Sequence, residues 1–220
     1  MVHNVLMMYK NLAVIGSLLL LAGCAAVPQA PARPVFYDFG PGWMDALPAA
    51  STQAPLSPLV LADVQGAGQA DASTAVQYRL AYADARQLHS YQLARWNLPP
   101  AQLLEQTLRS TLGQRRAVLR ATDARAAAPG ATGVRPAVLR VQLEEFSQVF
   151  TSAADSVGLV RVRATVVVPS ASGDQLLGQR VFTVQQPAAS ADAAGGTHAL
   201  AEAASLVVQD IAQWLQEVQH

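Results

Sequence analysis

The sequence predicts a single α/β domain, with a mixed and largely antiparallel β-sheet covered by two main helices. Three observations carry that expectation. Stretches alternating apolar and polar residues recur through 35–96 and 137–186, closed by turns rich in Gly, Pro and Ser. Two further stretches repeat apolar side chains at helical spacing, one after Pro99-Pro100 and one at the C-terminal end. Finally, 220 residues with 51% hydrophobic and 14% charged side chains suffice for one mid-sized core. No second domain and no internal repeat are visible.

Before the domain comes a targeting segment. Lys10 supplies a positive start, and residues 12–21 are almost unbroken in their apolarity, too short a run for a bilayer span of about 20 residues. Leu21-Ala22-Gly23-Cys24 follows directly and resembles the recognition site of bacterial lipoprotein signal peptidase. That resemblance implies cleavage before Cys24 and acylation of its thiol; an ordinary secretory signal with a chance cysteine is the alternative. The division expected is 1–23 signal peptide, 24–34 lipidated tether rich in Pro and Ala, and 35–220 folded domain. Met8 offers an alternative start with a more compact charged region.

Residues 35–39 read as a first strand closed by Gly40-Pro41-Gly42, and 59–64 as a second. Residues 76–82 alternate as a half-buried strand should, and 88–96 return beside them across a turn at 83–87. Pro99-Pro100 opens a helix, because the first-turn N–H groups have no intrahelical acceptor and their loss is tolerated. Leu104, Leu108 and Leu112 form its apolar stripe up to Gly113, with Glu105 and Arg109 four apart on a neighbouring stripe. A short strand at 117–121 and a flexible connection at 122–136 lead to the long strand 139–150. There Leu139, Val141 and Leu143 have one parity and Phe146 and Phe150 the other, which predicts a bulge at Glu144-Glu145. Residues 160–168 and 176–186 pair back across the turn at 169–174, completing a meander. From Asp192 or Thr197 onward, Leu200, Ala204, Val207, Ile211 and Trp214 keep helical spacing, so Trp214 is expected in the core.

Composition excludes several chemistries. Lys+Arg and Asp+Glu balance at 15 each, so no net field favours nucleic acid or an anionic surface, and a partner is expected to bind through shape and apolar contact. Lys10 is the single lysine and Cys24 the single cysteine, which removes lysine-dependent catalysis from the domain along with disulfide frameworks and multi-cysteine metal sites. His3 leaves with the signal and His220 is terminal, so His89 and His198 are the histidines within the domain, far apart in sequence and expected to be structural. Glu144-Glu145 would point to opposite faces of a strand and are expected at a solvated edge. Arg115, Arg116, Arg120 and Arg125 form a loose basic cluster expected on a solvated face, contact with a partner or lipid phosphate being the sharper alternative. Gly195-Gly196 could offer N–H groups to an anion but is expected to be a flexible helix entry. Trp43, in a Pro-rich loop, is a candidate exposed contact.

Several stretches together resemble the ABC-type transport auxiliary lipoprotein component family. They are Tyr37-Asp38-Phe39-Gly40-Pro41, Tyr78-Arg79-Leu80-Ala81-Tyr82-Ala83-Asp84, Arg95-Trp96-Asn97-Leu98-Pro99-Pro100, Leu143-Glu144-Glu145-Phe146 and Ala191-Asp192-Ala193-Ala194-Gly195-Gly196. The resemblance implies a non-catalytic lipoprotein, without cofactor or metal, facing the periplasm from the outer membrane. Its implied partners are a mammalian-cell-entry (MCE) domain protein and the inner-membrane ABC transporter complex, in the traffic of phospholipid or other hydrophobic compounds that maintains membrane integrity. Homo-oligomerisation is left open, and a periplasmic lipid carrier enclosing an acyl-chain cavity is the alternative. Beyond Cys24 and its Leu21-Ala22-Gly23 lead, no site residue is transferred.

Overall fold

The long strand 137–150 organises the domain, because its two edges are used differently. The computed structural model describes residues 32–40, 55–66, 72–126 and 135–218. In chain order the elements are β1 (Val35–Tyr37), β2 (Leu59–Leu61), β3 (Gln65–Gly66), β4 (Ala75–Leu80), α1 (Ala81–Asp84), β5 (Ala85–Trp96), α2 (Pro100–Gly113), β6 (Val118–Arg120), α3 (Ala121–Ala126), β7 (Ala137–Phe150), β8 (Ser156–Ser170), β9 (Gly173–Pro187) and α4 (Ala193–Val218). One edge of β7 pairs antiparallel with β8, which pairs antiparallel with β9, forming the expected meander. The other edge is shared in parallel by three short strands: β2 at Ala137 to Leu139, β3 at Gln142 and Leu143, and β4 at Gln148 to Phe150. β6 extends the sheet beyond β2, while β5 and then β1 extend it beyond β4. The result is a mixed sheet, antiparallel along its long strands and parallel in its short ones.

The expected bulge lies where that second edge changes hands. Register shifts between Leu143 and Glu145, just where β7 passes from β3 to β4. The extra residue moves the buried parity from Leu139, Val141 and Leu143 to Phe146, Gln148 and Phe150.

Helices α2 and α4 lie against the buried face. On α2, Leu104, Leu108 and Leu112 are buried as the spacing predicts. Glu105 accepts a hydrogen bond from the Val64 N–H at 3.2 Å and pairs with Arg109 at 3.0 Å, and Arg109 donates to the Leu61 carbonyl at 3.2 Å. The neighbouring stripe therefore ties α2 to the backbone between β2 and β3. On α4 the buried stripe includes Leu200, Ala204, Val207, Ile211, Trp214 and Leu215, against Val160, Val162, Ala164, Val166 and Phe182 of the sheet.

Helix α4 comes close to β8 because Gly158 has no side chain. A Cβ there would stand 2.6 Å from the Leu200 backbone nitrogen and 2.7 Å from the Ala199 carbonyl carbon. Backbone cannot swing aside as a side chain can. Gly158→Ala is expected to lower stability by about 1–3 kcal/mol, the usual range for overpacking; an unchanged denaturant midpoint would show that helix and strand separate without cost.

Some expected boundaries shift. The strand expected at 76–82 ends at Leu80, and the turn expected at 83–87 comes earlier, as the short helix α1, which leaves Tyr82 exposed and puts 85–87 in β5. Helical torsions let a hairpin turn without a glycine. The strand expected at 59–64 shortens to β2, with the separate short strand β3 following it at Gln65–Gly66, and 35–39 shortens to β1. The connection expected to be flexible at 122–136 forms α3 over its first described residues.

Candidate functional site

An open groove of about 830 Å³ lies between β1 and α4, with Gln186 of β9 also on its lining. Its strand side is built by a local turn. Asp38 Oδ1 accepts the Gly40 N–H at 2.9 Å, and Gly40 has φ +94°, a conformation open to glycine and strained for other residues. The turn anchors Phe39, which stacks on Phe146 and meets Trp96 edge-on, both at 5.5 Å between ring centroids. Tyr37, Asp38, Phe39 and Gly40 thus form one wall. The other wall is the second face of α4, with Thr197, His198, Ala201, Glu202, Ser205 and Leu206. Asp38 and Glu202 give the lining two carboxylates, and no Lys or Arg among the described residues is part of that lining. His198 Nδ1 lies 3.7 Å from Glu202, one helical turn away.

A buried polar chain supports the entry to α4. Gln148, fully buried on β7, accepts from the Tyr91 hydroxyl at 2.8 Å and donates to Ser156 Oγ at 2.8 Å. Burial, with smaller contributions from Tyr78 and Asp192, pushes the Tyr91 hydroxyl up to about 12, so it stays a neutral donor across the physiological range. Gly196 lies directly over this chain, where a Cβ would collide with Gln148 Oε1. Gly195-Gly196 is therefore a close-packed contact rather than the flexible entry expected. Its N–H groups are also engaged: Gly195 donates to Asp192 Oδ1 at 2.9 Å and Gly196 to the Asp192 carbonyl at 3.0 Å. The Gly195 N–H first, then the Ser190 hydroxyl, holds the Asp192 carboxyl below its ordinary range.

The structure separates the remaining candidates. Glu144 and Glu145 diverge at the bulge, so they form no carboxylate pair. Glu145 meets Arg79 through two hydrogen bonds, at 2.9 and 3.2 Å, while Glu144 is shared by Arg161 at 2.8 Å and Arg163 at 2.7 Å. Both carboxylates are half-buried in ion pairs, not at the solvated edge expected. The basic cluster is also corrected in part. Arg116 is buried, and Arg115 reaches Gln216 of α4 at 3.4 Å with its Nε enclosed, while Arg120 is exposed as expected. Burial, then the neighbouring Arg115 charge, lowers the Arg116 guanidinium from its ordinary value. His89 stacks on Tyr78 at 5.1 Å, the structural role expected. Cys24, Leu21, Ala22, Gly23 and Trp43 lie outside the described residues, as does the Arg125 side chain. Sequence reasoning missed the groove itself. Asp38 and Phe39 fall in a family-like motif, but nothing in the spacing of Glu202 or Gln148 marks either residue.

The Glu144 cluster gives a pH-dependent expectation. Arg161 first, through its hydrogen bond, and then Arg163 hold the Glu144 carboxyl below the usual glutamate range. A carboxyl depressed in the folded state contributes stability above its unfolded value and loses it as pH falls through the folded value. The arginines are partly exposed, so Glu144→Gln is expected to cost under about 1 kcal/mol at neutral pH. That difference from wild type should shrink as denaturant midpoints are taken into the acid range, and a difference growing with acidity would contradict it.

These features define a class: an open-sheet α/β domain in which a helix face and a strand end frame an accessible groove. A family model for the ABC-type transport auxiliary lipoprotein component matches residues 44–212, and the chain belongs to that family. Membership makes it an auxiliary lipoprotein component of ABC-type transport. The crystal structure of protein XCC0632 from Xanthomonas campestris, of the DUF330 family, is similar with a TM-score of 0.60 at 19% identity, over 85% of this chain and 94% of that one. A crystal structure of an uncharacterized protein gives 0.57 at 14% identity, over 84% of this chain and 99% of that one. Both likenesses concern the fold alone. No curated protein sequence matches significantly.

Proposed function

We propose that this chain is a non-catalytic docking subunit of an MCE-type ABC transport system. Cys24, acylated, holds it at the outer membrane, and the groove between β1 and α4 receives the MCE component for traffic of phospholipid or other hydrophobic compounds. The groove's lining carries the reading. It combines Tyr37, Phe39 and Leu206 with the carboxylates of Asp38 and Glu202, a mixture suited to a protein surface bearing apolar and basic side chains. An acyl chain seated there would desolvate two carboxylates, with only the His198 imidazole beside Glu202 and no Lys or Arg on the lining, at a cost of several kcal/mol. This favours docking over a carrier role at that site.

The test is capture of the cognate MCE protein by the acylated protein in detergent, at low and high salt. Ala201→Arg, which adds bulk to the groove wall, should abolish capture while the melting transition is retained. Capture by wild type that is equal in Ala201→Arg would move docking elsewhere, and stoichiometric co-purifying lipid with no capture at either salt would favour the carrier.

A further inference from the structure

We propose that the outer face of the β1–β5 corner rests on the phospholipid surface, with Phe36 as its principal contact, an inference that rests on acylation of Cys24. Phe36 is 64% exposed and Val35 53%. In the parallel register Phe36 pairs with Arg95 and Val35 with Ala94. Ala94 and Trp96 are buried toward the helices, so the alternation of β5 places Leu93 and Arg95 on the opposite face with Phe36. Leu93 is 45% exposed. The corner thus presents two large apolar side chains on the face of Arg95, whose Nη1 donates to the Tyr91 and Ala94 carbonyls at 2.6 and 2.8 Å. Apolar groups suit the headgroup boundary, and the charge held on that strand suits neighbouring lipid phosphate.

Covalent length selects this corner over other apolar patches. Ten residues, 25–34, separate Cys24 from Val35. Even as extended polyproline-like chain they reach about 31 Å. A compact domain of this length has a radius of gyration of about 16 Å, hence a diameter of about 40 Å. The tether is shorter than the domain is wide, so its point of entry stays within about 31 Å of the bilayer, while the opposite side of the domain can lie up to about 40 Å further out. The comparable exposed pair, Leu176 at 61% and Leu177 at 39%, lies on β9, five strands away in the sheet.

The full-length protein is reconstituted in vesicles of phosphatidylethanolamine and phosphatidylglycerol, with and without brominated acyl chains. Phe36→Trp and Leu176→Trp each add one indole to the parental background. Phe36→Trp is expected to lose a larger fraction of its added emission to the brominated lipid than Leu176→Trp does, and to emit further to the blue. Equal quenching of the two, or none at position 36, overturns the contact. Mass spectrometry of the mature N-terminus on the same samples reads anchoring separately. An acylated, vesicle-bound Phe36→Trp protein whose added indole is unquenched fails this inference alone; an unacylated one whose added indole is still quenched fails the anchoring reading alone. An unacylated and unquenched protein fails both.

Discussion

Trp214→Ala is expected to destabilise the domain by about 3–5 kcal/mol, the range for removing a large aromatic from a packed core. Trp214 is 7% exposed on the buried stripe of α4 and meets Phe182 of β9 edge-on at 5.7 Å. Gly178 makes room for the indole, since a Cβ there would come within 3.3 Å of Trp214 Cζ2. Arg180 lies over the other partner, 5.2 Å from the Phe182 centroid. Truncation would leave a void between strand and helix that neither can close, because β9 is held along its length by β8. The denaturant midpoint measures this, and a shift within error would mean that the β9–α4 seam contributes little to folding.

Cys24→Ser is expected to abolish acylation and release the protein from membranes. The linkage implied by the signal motif is made at a thiol, and Cys24 carries the only one in the chain. Each buried methylene contributes about 0.8 kcal/mol, so two or three acyl chains retain a protein that one holds only reversibly. Incorporation of labelled palmitate together with membrane flotation reads both effects. Wild-type protein without lipid, or a serine variant that floats and labels as before, would refute the assignment.

Much of the fold was legible because local patterning and burial agree. Leu104, Leu108 and Leu112 on α2, and Leu200 through Trp214 on α4, are spaced for one helical face, and each has a sheet to cover. The change of parity between Leu143 and Phe146 marked the bulge, since a strand cannot bury both sets without an extra residue. The hairpin was legible as a pairing but not in its turn, where Ala81–Asp84 adopt a helical turn that no glycine or asparagine announces. The site was far less legible. Asp38 and Glu202 are distant in the chain and line one groove only because the turn at Gly40 and the outer face of α4 frame it.

The sequence by itself determined the two helices, the long antiparallel strands, the buried place of Trp214 and the poverty of reactive groups, since periodicity and composition are properties of the chain alone. Only the tertiary structure decided how β2, β3 and β4 divide one edge of β7, because short parallel pairings depend on where distant segments arrive. It also decided that Glu144 and Glu145 part company, that Arg116 is buried, and that Gly158 and Gly196 are points of close approach. In each case the deciding quantity is the distance to an atom remote in sequence, and no local pattern encodes it.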